Sequence, residues 1–105
     1  MALQGFPIDG RQISQLKISA WVKTDGARLG QDRQAAPMIL VTYFDQQRHD
    51  RGRAAVGPFL GTEGWHRVEK VVRVPAHARE AIFRIGLLEG LGEISFDGIE
   101  IEAMP

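Results

Sequence analysis

Trp21 stands in a run, Leu16 to Lys23, in which aliphatic and polar residues alternate. Leu16, Ile18, Ala20 and Val22 share one side of an extended chain, and Trp21 falls on the other with Lys17 and Lys23. A flat indole on an otherwise polar sheet face suits a sugar ring. Its face covers apolar C–H groups while neighbouring polar side chains bond the hydroxyls. Tyr43 adds a second ring if Val41 and Tyr43 face the same way, and Arg84 adds a polar neighbour. A different reading stays open for Trp21: packing beneath a loop or against a neighbouring chain, since large aromatics are highly buried on average. On the same argument Trp65, just after a Gly turn, is expected to cap the core.

The other chemistry-bearing residues are scattered. His49, His66 and His77 lack the close spacing of a metal-binding helix or finger and read as surface or loop histidines. Arg48, Arg51 and Arg53 surround His49 and Asp50 in a basic loop, read as a solvated hairpin, with an anion or acidic-sugar contact as the second reading. Asp45, Glu69 and Asp97 fall on or next to strands, and two of them would make a glycosidase pair only if the fold converged them. There is no nucleophile elbow, no phosphate-cradling Gly loop and no Cys-His arrangement. The residues point to a binding protein, not an enzyme.

The elements that must position these residues read as strands. The alternation of Leu16 to Lys23 stops at a turn signal, Thr24-Asp25-Gly26, and the polar stretch from Gly26 to Pro37, with Arg28, Asp32 and Arg33, reads as a long surface loop. Met38 to Phe44 is almost entirely apolar, as in a strand covered on both faces. Asp45 to Arg53 reads as a polar turn, and Ala54 to Leu60 as a short edge strand weakened by Gly57-Pro58. Another turn spans Gly61 to Gly64. The following strand opens at Trp65, places Val68, Val72 and Val74 on one face, and closes at Pro75. Pro75 to Glu80 has room for one helical turn at most. Ala81, Phe83, Ile85 and Leu87 alternate in the next run. In the last, Ile94 and Phe96 have the opposite parity to Ile99 and Ile101. Either that strand is buried on both sides, or one extra residue at Asp97-Gly98 resets its phase, because Gly takes positive φ at little steric cost.

Composition sets the outer limits. A chain of 105 residues suits one core, so residues 1–105 are expected to form one domain. Thirteen basic residues balance thirteen acidic ones, so no global field points to nucleic acid or an anionic membrane. Without cysteine there is no disulfide or thiolate chemistry. No apolar stretch has the length of a membrane span, and Met1 to Arg11 shows no signal-peptide pattern. The expected fold is all-β, an antiparallel sandwich of about six or seven strands.

The order Trp65, strand, Val74-Pro75, strand, Gly turn, Phe96-Asp97-Gly98-Ile99 resembles the last three strands of galactose-binding-like jelly rolls, nearest to the cellulose- and xylan-binding modules of bacterial polysaccharide hydrolases. Lys17-Ile18-Ser19-Ala20-Trp21-Val22-Lys23-Thr24 and Met38 to Asp45 look like two earlier strands of that family. The resemblance implies a non-catalytic accessory module, extracellular or in the cell envelope, with a polysaccharide partner at Trp21, Tyr43 and Arg84. It also implies a structural calcium ion near Asp97, whose other ligands would come largely from the family's first strand. The alternative function is a structural or protein-interaction sandwich, with a host enzyme, another domain or a second copy as partner. The family's Asn-rich opening is absent, and this chain has no Asn. The first strands are therefore expected to be missing, leaving an open edge that self-associates or a marginally stable fold, unless Leu3 to Ile8 folds back to fill the slot.

Overall fold

Strand β2, Gln15–Arg28, turns Leu16, Ile18, Ala20, Val22 and Thr24 inward, all of them buried, and presents Trp21 and Lys23 to the outside. This alternation gives the sandwich its inner wall. The computed structural model describes residues 2–31 and 35–105. The remaining strands are β1 (Ala2–Pro7), β3 (Met38–Phe44), β4 (Asp50–Val56), β5 (Gly61–Arg73), β6 (Glu80–Gly86) and β7 (Leu91–Met104). Among the described residues there is no helix. The four-stranded sheet runs β1-β6-β3-β4 and the three-stranded sheet β5-β2-β7, with every neighbouring pair antiparallel. The fold is an all-β antiparallel sandwich, as the alternating runs require.

The facing wall comes from Ile39, Val41 and Tyr43 of β3 and from Ala81 and Phe83 of β6. Two aromatic contacts finish the core. Phe6 of β1 stacks on Phe83 at 5.0 Å between ring centroids, and Phe59, just after β4, meets Phe96 of β7 edge-on at 6.0 Å. At the side where β4 and β5 approach each other, Lys70 has the inward parity of Val68 and Val72. Its ammonium donates to the Ala55 carbonyl at 2.8 Å, joining the two sheets.

Four boundaries differ from the sequence expectation, and glycines explain three of them. Thr24-Asp25-Gly26 is a bulge within β2, not a turn: Gly26 takes φ +60°, its N–H donates to Thr62 Oγ1, and the strand continues to Arg28. Gly92 lies opposite with φ +97°, and a Cβ there would collide with the Gly26 carbonyl. The opening of β5 starts at Gly61, where a turn was expected, because it pairs with this bulged end of β2. Gly52, with φ +128°, lets β4 begin at Asp50 inside the expected polar turn. The fourth difference is β1, which pairs Ala2–Pro7 with Ile85–Glu80. The opening segment does fold back onto a sheet edge. Its signal was weak because Leu3, Gly5 and Pro7 point outward and Pro is tolerated only at edges. The expected surface loop through Asp32 and Arg33 lies outside the described residues.

The last strand resolves its phase conflict by a bulge. Glu100 pairs with Ser19 and Asp97 with Trp21, so Gly98 and Ile99 together oppose Ala20. Gly98 takes φ +57°. Ile94 and Phe96 before the bulge, and Ile101 opposite Ile18 after it, thereby share the inner face.

The basic loop is a hairpin between β3 and β4, organised by Asp45. Its carboxylate is 6% exposed and accepts from the His49 and Gln47 N–H groups and from Arg51 Nε, at 2.8–2.9 Å. The His49 N–H bond, with the Arg51 and Gln47 bonds behind it, outweighs burial and holds the Asp45 carboxyl below its ordinary value of 3.8. A carboxyl lowered on folding stabilises the fold above its unfolded value, and the contribution is lost as pH falls from there through the folded value.

Two stability measurements follow. Ile18→Ala, at a fully buried position, should lower the unfolding free energy in urea by about 2–5 kcal/mol. The exposed Val71→Ala should change it by less than about 0.5 kcal/mol. Asp45→Asn should lower the melting temperature at neutral pH and flatten its decline below pH 3.8. An unchanged acid limb in that variant would mean the hairpin carboxylate does not contribute to it.

Candidate functional site

The outer face of the three-stranded sheet carries both tryptophans. On β2, Trp21 is flanked directly by Arg67 of β5 and Asp97 of β7. Trp65 shares the parity of Arg67 and sits one step diagonally from Trp21, beside Lys23, where Gly64-Trp65 bulges out of the β2–β5 pairing. Side chains in such direct and diagonal positions have Cβ atoms roughly 4.5–8 Å apart. Trp21 is 45% exposed and Trp65 50%. Trp65 therefore does not cap the core: His66 and Val68 hold the inward parity, which sends Trp65 outward with Arg67. Among the described residues no loop covers Trp21 either, since Asp97 and Arg67 beside it are exposed in their turn.

The β7 bulge seats the indole. A Cβ at Gly98 would stand 3.5 Å from Trp21 Cδ1, so the edge of the ring rests over the bare Gly98 backbone. Asp97 Oδ1 accepts the Gly98 N–H at 2.9 Å, which holds the bulge and directs that carboxylate toward its own backbone. Farther along the face, Lys17 Nζ is 2.7 Å from Glu69 Oε1, and Arg67 Nη1 is 3.3 Å from Glu69 Oε2. Two half-exposed indoles are thus bordered by Arg67, Asp97, Lys23 and the Lys17–Glu69 pair. That arrangement can cover apolar C–H surface and bond hydroxyl groups around it.

The three residues expected to act together do not meet. Tyr43 lies in the four-stranded sheet and points into the core, 1% exposed, because Val41 and Tyr43 both carry the inward parity of β3. Arg84 is exposed on the outer face of that same sheet, between Leu3 and Leu40. The two outer faces look in opposite directions, so neither Tyr43 nor Arg84 joins Trp21. Alternation had given each residue's parity within its strand but not the sheet to which the strand belongs. The missed partner, Trp65, was legible through Arg67: both share the face opposite Val68.

The carboxylates do not converge either. Glu69 and Asp97 stand two strands and two residues apart, roughly 12 Å by ordinary strand spacings, and Asp45 lies in the other sheet's hairpin. His66 Nδ1 is 2.9 Å from the Gly64 carbonyl, and His49 lies 3.6 Å from Asp45. Among the described residues no group of three or more His, Cys, Asp or Glu side chains gathers in a way that could hold a metal ion, and Asp97 has no such companions.

Tyr43 has a different setting. Burial pushes its phenol up to about 12, and the buried hydroxyl has no hydrogen-bond partner among the described residues.

No protein-family model matches this chain, and no curated protein matches it. Among solved structures, it is similar to part of the enzymatically active domain of tailspike protein 4 (orf213) of bacteriophage CBA120, with a TM-score of 0.68 and 16% sequence identity. The match covers 97% of this chain but only 13% of that one. The likeness is one of fold.

Proposed function

We propose that this protein is a non-catalytic, carbohydrate-binding β-sandwich module that holds a neutral glycan on the outer face of its three-stranded sheet. The observation that carries the reading is the pair of half-exposed tryptophans on one face, with Trp21 seated over Gly98. A soluble sheet face loses nothing by being polar throughout, so two large exposed rings side by side call for a ligand surface. Trp21 is the main stacking platform and Trp65 extends it to a neighbouring sugar unit. Arg67, Asp97 and Lys23 supply donors and acceptors at the rim. The similarity to a tailspike domain bears on the fold only. The face is open, so little of the ligand is buried and affinity is modest.

A second reading, a protein-interaction module, is favoured by exposed apolar residues near the same face. Val71 is exposed on it, and Ile99 is exposed along β7, which pairs on one side only. An unpaired edge of that kind can take a strand from another chain.

An array of neutral and acidic glycans tests the proposal. Covering roughly 40–120 Å² of indole at about 25 cal/mol per Å² is worth about 1–3 kcal/mol, a factor of roughly 5–150 in affinity. Trp21→Ala should weaken binding within that range without lowering the melting temperature, and Trp65→Ala should weaken it less. An array without hits, together with a dimer in light scattering, would favour the interaction reading.

A further inference from the structure

Among the described residues the two sheets leave four strand edges unpaired, β1 and β4 in one sheet and β5 and β7 in the other. An open edge accepts a further strand unless charged side chains, a bulge or a covering group stand in the way. Three of the four edges carry such devices. β7 holds Glu93, Asp97, Glu100 and Glu102 along its outward parity and is broken by the Gly98 bulge. β5 carries Arg67, Glu69 and Arg73 and is interrupted at Gly64-Trp65. On β4, Asp50, Arg51 and Arg53 are charged, and the Ala55 carbonyl already accepts from the Lys70 ammonium.

β1, Ala2–Pro7, has none of these devices. It contains no charged side chain, and its register against β6 runs without a shift. Leu3, Gln4, Gly5 and Pro7 are exposed, and Leu3, at 63%, is the most exposed large hydrophobic side chain among the described residues. The backbone shows which groups are free. The Ile8 N–H donates to the Arg79 carbonyl at 3.1 Å, on the β6 side. Main-chain groups alternate sides along a strand, so Gln4 and Phe6 bond β6 while Leu3 and Gly5 turn their N–H and C=O to the open edge. Pro7 falls on that open side as well, where its missing N–H costs the sheet nothing.

What fits this edge is another like it. An uncharged strand meets its own copy without repulsion, whereas two β7 edges would set carboxylate against carboxylate. Antiparallel pairing about a two-fold axis at Gln4 sets Leu3 of each protomer opposite Gly5 of its partner. Each such pair exchanges both backbone bonds. Gly5 has no side chain to clash with Leu3, and Ile82 Cγ1 stands 3.6 Å from where a Gly5 Cβ would be, so Leu3 lands beside an apolar neighbour. The two Gln4 side chains face each other across the axis, where their amides can bond one another.

We propose that this chain forms a reversible dimer in which two β1 edges pair antiparallel and the four-stranded sheets of two protomers become one continuous sheet. The axis crosses the sheet, so both tryptophan faces stay open and look the same way. The dimer and the glycan reading stand or fall separately. An edge of six residues buries less than the roughly 1,200 Å² at which standard interfaces begin, so the dimer dissociates on dilution.

Sedimentation equilibrium of the full chain over a range of concentrations is the test. The mass should rise with concentration from 11.7 kDa toward twice that value and no further. Gln4→Lys and Gln4→Glu each bring like charges together at the axis, and each should weaken dimerisation by about fivefold or more. Gln4 is exposed, so neither substitution should lower the melting temperature of the dilute monomer. An equimolar mixture of the two variants should dimerise at least as well as the parent chain, because opposite charges then meet. Glu100→Lys, on the β7 edge, should leave the parent dimer unchanged. A chain that stays monomeric at every concentration would leave the edge to a strand of a different protein and overturn the proposal. So would growth beyond the dimer, a dimer that survives both Gln4 substitutions, or a mixture no tighter than either variant alone.

Discussion

The bulge on β7 ties the core to the surface. Without it, Ile101 would face away from the interior if Ile94 and Phe96 faced in, and the three-stranded sheet would have to expose one set. Gly98 absorbs the mismatch by taking φ +57°, a conformation that side-chain-bearing residues adopt at a cost. The same glycine leaves bare backbone under Trp21 Cδ1. One residue therefore gives Ile94, Phe96 and Ile101 the same inward parity and sets the position of an indole on the outer face. The inner wall of β2 and the tryptophan face depend on the same register.

Much of this was legible in the chain because alternation is a direct readout of sheet geometry. Leu16 to Val22 and Ala81 to Leu87 announced their inner faces, and the parity switch between Phe96 and Ile99 announced the bulge. Three things were not legible. Strand β1 has outward Leu3, Gly5 and Pro7, so it carries no pattern of its own and exists through pairing with β6. The Thr24-Asp25-Gly26 signal is ambiguous because a glycine at positive φ serves a turn or a bulge equally well, and only the partner strand decides. Sheet membership is also absent from local pattern, which is why Tyr43 and Arg84 seemed compatible with Trp21 until the topology separated them.

On the tryptophan face, ring surface is in excess and the polar groups are largely satisfied by one another, as in the Lys17–Glu69 pair. Apolar contact with neutral C–H groups suits such a surface.

The placement of the two tryptophans has a spectroscopic consequence. Both indoles already stand partly in water in the folded chain, while the lone tyrosine is the aromatic hydroxyl sealed in the core. Intrinsic tryptophan emission will therefore change little in colour when the sandwich unfolds, and will respond most to whatever covers the outer face. For this protein, fluorescence is an indicator of occupancy, and loss of the core is better followed through the tyrosine band in near-ultraviolet circular dichroism.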